Sequence, residues 1–143
     1  MKIQQLSLFA ENKPGHILGP CRLLAREGID LRALSLADTQ RFGILRMIVS
    51  DSHKAKALLE AAGHVVKVTE VLAVEVPDRP GGLVGVLEAF EGTQINIEYM
   101  YAFPYRKGET AILIFRFDDP DAAIGRLRAA GIHVLESGEV YGR

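Results

Sequence analysis

The chain has a single cysteine, Cys21, among its 143 residues, which excludes an intramolecular disulfide and a cysteine-based zinc site. It also lacks any block of like charge. Its 17 basic and 18 acidic side chains leave a formal net charge of −1, so there is no electrostatic footprint for nucleic acid or an anionic membrane. No apolar run approaches the roughly 20 residues that span a bilayer. The opening "MKIQQLSLFAEN" alternates polar with apolar residues, whereas a secretory signal would be continuously apolar. The reading is a cytoplasmic protein whose partners are small molecules or proteins. Four histidines, His16, His53, His64 and His133, form no i, i+4 pair, so metal ligation has no supporting spacing. Motifs of catalysis are missing too: no G-x-S-x-G elbow, no P-loop, no dinucleotide fingerprint and no H-E-x-x-H. No cofactor is implied, and the chain reads as a non-enzyme.

What the sequence does contain is a repeat. "ENKPGHIL" (Glu11 to Leu18) returns sixty-six positions later as "PDRPGGLV" (Pro77 to Val84). Gly19 then aligns with Gly85, and "GIDL" (Gly28 to Leu31) with "QINI" (Gln94 to Ile97). After a two-residue insertion, "GILRMIVSD" aligns with "AILIFRFDD", and Ala61-Ala62-Gly63 with Ala129-Ala130-Gly131. Repeats of this kind decide the fold, and they predict two domains, residues 1–70 and 71–143.

Each copy reads strand, helix, strand, strand, helix, strand. Leu6 and Leu8 alternate with polar neighbours before the first turn, as do Val74 and Val76 before the second. Ile17, Cys21 and Leu24 share one helical face, and Leu83, Val86, Leu87 and Phe90 follow the i, i+3, i+4, i+7 pattern. The middle strands are expected at Asp30 to Leu36 with Gly43 to Val49, and at Asn96 to Phe103 with Thr110 to Phe117. Turn-like "ADTQRF" and "PYRKGE" join them. Second helices carry Ala55, Leu58, Leu59 and Ala62 in one copy, and Ala123, Leu127 and Ala130 in the other. The last strands are predicted over Val65 to Val71 and His133 to Val140. This is an α+β, ferredoxin-like βαββαβ arrangement, an antiparallel sheet with both helices on one face. Side-by-side pairing of the two copies would hide one sheet edge of each.

The repeated turn suggests chemistry. A Pro-Gly turn opening a helix directs backbone N–H groups at whatever sits above the helix start, where the dipole also favours negative charge. Glycine at positions 15 and 81 admits unusual backbone angles and close approach of a ligand such as a carboxylate. Such a turn also serves simply to start a helix. Repetition, with a polar residue two positions before the proline (Asn12, Asp78), favours the binding role. His16 either touches that carboxylate or is a solvated helix-start residue. The run "YMYAFPY" suits a strand and a pairing edge, with Tyr99 or Tyr101 lining a ligand as the alternative. Cys21 reads as a small core residue.

"ENKPGHIL" followed by "GIDL", and "PDRPGGLVGVLEAFEGTQINI", resemble the signature of the ACT domain, an amino-acid-sensing module of biosynthetic enzymes. The resemblance covers essentially the whole chain as a tandem pair. It implies domains that pair edge to edge, further pairing into a homodimer, a free amino acid bound between paired domains, and a partner enzyme regulated by it. In serine-binding members of the family, a turn asparagine and an asparagine opening the partner domain's second strand hold the effector. Asn12 matches the first and Asn96 the second. With Pro14 and the N–H groups of Gly15, His16 and Ile17, they would form one good site. Asp78, Asp30, Gly81, Gly82 and Leu83 would form a weaker one, because two carboxylates repel that of the ligand, so one ligand per chain is expected. Ala10 and Val76 stand where those relatives carry histidine, which points to a branched-chain or aromatic effector. A ligand-free interaction module that docks a metabolic enzyme is the alternative.

Overall fold

The computed structural model describes residues 1–38 and 41–141, with the backbone alone over 105–107. In chain order the elements are β1 (Ile3–Glu11), α1 (Leu18–Arg26), β2 (Leu31–Asp38), β3 (Phe42–Val49), α2 (Ser52–Ala61), β4 (Val65–Pro77), α3 (Gly82–Glu88), β5 (Ile97–Lys107), β6 (Thr110–Phe117), α4 (Pro120–Ala129) and α5 (Ser137–Tyr141). The chain divides into two compact units. The first holds Gln4–Thr69 and Tyr141, the second Met1–Ile3 and Glu70–Val140.

In the first unit the strands run in the order β2-β3-β1, and antiparallel register sets Leu6 beside Met47 and Leu8 beside Leu45. Alternation therefore gathers these four side chains on one face. There they meet Leu24 of α1 and Ala55 and Leu59 of α2 in a single buried cluster, so both helices cover the same face. Helix α2 starts where it does because the Asp51 carboxylate accepts the Lys54 N–H at 3.1 Å, satisfying one of the free amides of the first turn. On β2, at the edge of this sheet, Leu34 and Leu36 stay 52% and 48% exposed. Tyr141 fastens to β1: its hydroxyl donates to the Gln4 carbonyl at 3.1 Å and accepts the Gln4 N–H at 2.8 Å. Burial pushes that phenol above its ordinary range.

The second unit repeats the plan with β4-β6-β5. Leu72, Val74 and Val76 join Phe115 and Phe117 on the helix-bearing face, with Val86 of α3 and Ala123 and Leu127 of α4. Phe117 lies between two other rings, with centroids 4.9 Å from Phe90 and 5.6 Å from Phe115.

Several elements differ from the sequence expectation. The predicted strand from His133 to Val140 is reduced to a bridge between Val134 and Val74, and the chain then turns into α5. Glu136-Ser137-Gly138 breaks the alternation, and the Glu139 carboxylate accepts the Glu136 N–H at 2.7 Å to close a helical turn instead. Most of "PYRKGE" is strand. β5 runs to Lys107 through a register shift between Phe103 and Arg106, which accommodates Pro104, a residue with no N–H to give the ladder. Val65 to Val71 opens β4, which continues to Pro77 without a break. Within "ADTQRF", Thr39 and Gln40 lie outside the described residues. Leu87 is 41% exposed and stands outside the core, about 100° round the helix from buried Val86. Ala62 and Ala130 are exposed because they occupy the C-caps, where the helices end. Cys21 is half-buried against the first core, and desolvation pushes its thiol up.

Candidate functional site

The two turns are anchored alike. The Asn12 N–H donates to the Arg41 carbonyl at 2.9 Å, and the Asp78 N–H to the Glu109 carbonyl at 2.9 Å. Gly15 and Gly81 adopt φ of +77° and +84°, the left-handed region that side-chain-bearing residues rarely occupy, so glycine is required at both turns. Each turn then closes on itself. The His16 N–H donates to the Lys13 carbonyl at 3.3 Å and the Gly82 N–H to that of Arg79 at 3.0 Å, which engages two of the amides expected to face a ligand. Asn12 and Pro14 are exposed, while Ile17 and Leu83 are half-buried against their respective cores.

Asp30 and Asn96 open the second strands at equivalent places. The Asn96 N–H donates to the Asp118 carboxylate at 2.9 Å, and the Asp30 N–H to the Ser50 hydroxyl at 2.9 Å. Pro77 pairs beside Thr110 at one end of β6, and Ile97 beside Phe117 at the other. Within its own unit Asn96 is thus about 23 Å from the turn, the length of an eight-residue strand. Asp30 stands apart from the first turn in the same way. Its carboxylate accepts from Arg32 Nη1 at 2.9 Å, and Arg32 Nη2 donates to the Tyr141 carbonyl at 3.3 Å.

The second turn opens onto a cleft of about 530 Å³, within the range of small-molecule sites. Gly81, Gly82 and Gly85 line it without side chains and Arg79 and His133 border it, while Glu75, whose side chain alternates to the face opposite Val76, reaches it through its backbone. Glu75 and His133 come together because the Glu75 N–H donates to the His133 carbonyl at 3.0 Å, the ladder remnant left beside β4. The His133 imidazole lies 3.3 Å from the Glu139 carboxylate. Sequence reasoning named Gly81 and Gly82 here but missed Glu75, Arg79 and His133. Its available signal was the alignment of Arg79 with Lys13, a cation directly before each Pro-Gly. Tyr99 and Tyr101 are half-buried on β5. Among the described residues no group of three His, Cys, Asp or Glu side chains is placed to hold a metal ion, and no helix is long and apolar enough to cross a membrane.

A family model described as an ACT domain pair matches residues 1–136. The chain belongs to the ACT domain family. A crystal structure of a protein from Bacteroides thetaiotaomicron is similar at a TM-score of 0.92 and 35% identity, covering 100% of this chain and 98% of that one. The ligand-free regulatory subunit of aspartate kinase from Thermus thermophilus shares the fold at a TM-score of 0.62 and 18% identity, over 90% of this chain and 89% of that one. Aspartokinase III of E. coli, in complex with lysine and aspartate, does so at 0.54 and 16%, over 91% of this chain and 31% of that one. A comparison with curated proteins finds no match.

The two ACT units differ where their turns meet their sheets. Gly82 packs so closely on the end of β4 that a Cβ there would run into the Pro77 carbonyl oxygen. The equivalent residue in the first unit is His16, whose Cβ forbids that approach, and α1 starts only at Leu18, two positions later than its counterpart. The imidazole of His16 lies instead over Gly43, with Nε2 3.1 Å from where a Cβ would stand. In the second unit the equivalent of Gly43 is Ala111, which a glycine at 82 leaves room for. The ACT copies therefore carry complementary pairs, His16 with Gly43 and Gly82 with Ala111.

Proposed function

We propose that this ACT pair is a cytoplasmic, non-catalytic regulatory protein that binds a free amino acid, of the branched-chain or aromatic class, and passes the signal to a partner metabolic enzyme. The observation that carries the reading is the ACT-pair match over residues 1–136, with a glycine-dependent turn kept in each copy. Two proteins of like fold, a regulatory subunit of aspartate kinase and an aspartokinase in complex with lysine and aspartate, support it. Coupling to an enzyme requires that effector and partner change each other's affinity by the same factor. Exposed Leu34 and Leu36 on the β2 edge support a protein partner, a second copy of the chain included.

A thermal-shift screen of the whole chain against free amino acids tests this. A ligand at 100 times its dissociation constant stabilises by about 2.7 kcal/mol, enough to raise the midpoint by several degrees. No shift with any amino acid would leave the ligand-free interaction module as the reading. We propose Asn12 and Asn96 as effector contacts; Asn12→Ala and Asn96→Ala are each expected to weaken binding about tenfold, and unchanged affinity in both would remove them. Light scattering is expected to give twice the mass of one chain, and a monomer mass would remove the homodimer.

A further inference from the structure

The two copies of the repeat carry opposite net charge. Residues 1–70 hold ten Lys and Arg against seven Asp and Glu, and residues 71–143 hold seven against eleven, so the first copy is basic and the second acidic. The reversal reaches equivalent positions of the first helix in each copy. Arg22 of α1 corresponds to Glu88 of α3, sixty-six positions on like the turns themselves, and both side chains are exposed. We infer that the outer face of α1 docks on the outer face of α3 in a second copy of this chain, with Arg22 against Glu88 of the partner subunit. This docking rests on the homodimer proposed above and gives it a surface.

Three observations carry it. First, each helix keeps a large apolar side chain in water at the same repeat position: Leu18 is 53% exposed and Val84 51%, and exposed Leu87 joins Val84 one turn on. The core contacts of these helices run through Leu24 and Val86 instead, which leaves the outer residues as anchors for a docking helix to bury. Second, i, i+4 spacing sets Arg22 beside Leu18 on α1 and Glu88 beside Val84 on α3, so each anchor has a charge one turn along and the two charges are opposite. Neither charge is engaged within the chain: among the described residues Arg22 and Glu88 make no ion pair or hydrogen bond, whereas Arg32 and Arg116 do. Third, a second copy supplies the complement of each face. Pairing α1 with α1 would oppose arginine to arginine, and α3 with α3 glutamate to glutamate, so charge selects α1 against α3. A twofold axis then makes the contact twice, since α1 of each copy meets α3 of the other.

Sedimentation velocity of the whole chain at about 0.05 M and about 0.5 M salt tests it, because exposed charges become screened over that range. The dimer is expected to weaken as salt rises. Arg22→Glu and Glu88→Arg are each expected to raise its dissociation constant about a hundredfold, about tenfold at each of the two symmetric contacts. Combined in one chain they should restore the dimer, since the swapped charges again attract, and this rescue separates a lost contact from a lost fold. Lys67→Glu makes the same charge change at an exposed position of β4, away from both helices, and is expected to leave the dimer unchanged. A dimer indifferent to both single reversals, or weakened as much by Lys67→Glu, overturns the helix docking while the homodimer stands. A double variant no better than the single ones overturns it too. A monomer at both salt concentrations overturns docking and homodimer together, and a mass that grows beyond two chains overturns the twofold closure.

Discussion

Phe117→Ala is expected to cost about 3–5 kcal/mol of folding stability, the range for removing a large aromatic from a packed core. Phe117 is fully buried at the end of β6, and its ring fills the space between Phe90, which arrives just beyond α3, and Phe115 two residues back on the same strand face. Truncation leaves a cavity that neither neighbour can collapse into, since Phe115 is fixed by the ladder to β4. A domain is stable by only about 5–15 kcal/mol, so the second unit would stand near its unfolding threshold. Urea unfolding followed by circular dichroism measures the loss; a change below about 1 kcal/mol would show that the aromatic trio does not hold this unit together.

Gly82→Ala is expected to destabilise the protein by about 1–3 kcal/mol, although alanine is the better helix former at an ordinary position. The added methyl meets a backbone carbonyl, which cannot rotate away as a side chain would, so the turn must lift from β4. Gly85→Ala, three residues on in the same helix with open space around its Cβ, provides the contrast and is expected to be neutral or to stabilise by up to about 1 kcal/mol. Thermal unfolding of the two variants side by side measures the difference. Equal midpoints would mean that the approach of Gly82 to Pro77 is loose in solution.

Much of this architecture is legible in the sequence because the repeat states each pattern twice. The apolar alternation of Leu6 and Leu8, echoed by Val74 and Val76, placed the first strand of each copy, and Ala55 with Leu59, echoed by Ala123 with Leu127, placed the second helix. Reading failed where one copy departs from the other. A last strand is expected over His133 to Val140 as over Val65 to Val71, but Ser137-Gly138-Glu139 follows its own local hydrogen bonding. The same applies to the cleft. Glu75 and His133 are 58 positions apart and only the ladder remnant beside β4 sets them side by side, a contact that no spacing rule encodes.

The complementary pairs at the two turns also bear on how the halves of a duplicated chain can drift apart. Starting from glycine at the turn and alanine on the strand, a change to histidine at the turn alone sets the ring against an existing methyl group. The same change made after the strand residue has become glycine meets no obstacle. Of the two mutational orders, one passes through a crowded intermediate and the other through a merely looser one, so the turn residue and the strand residue of each pair are coupled in His16 with Gly43 and in Gly82 with Ala111. For the same reason, moving single residues from one half of this protein to the other will misreport their worth unless both members of the pair travel together.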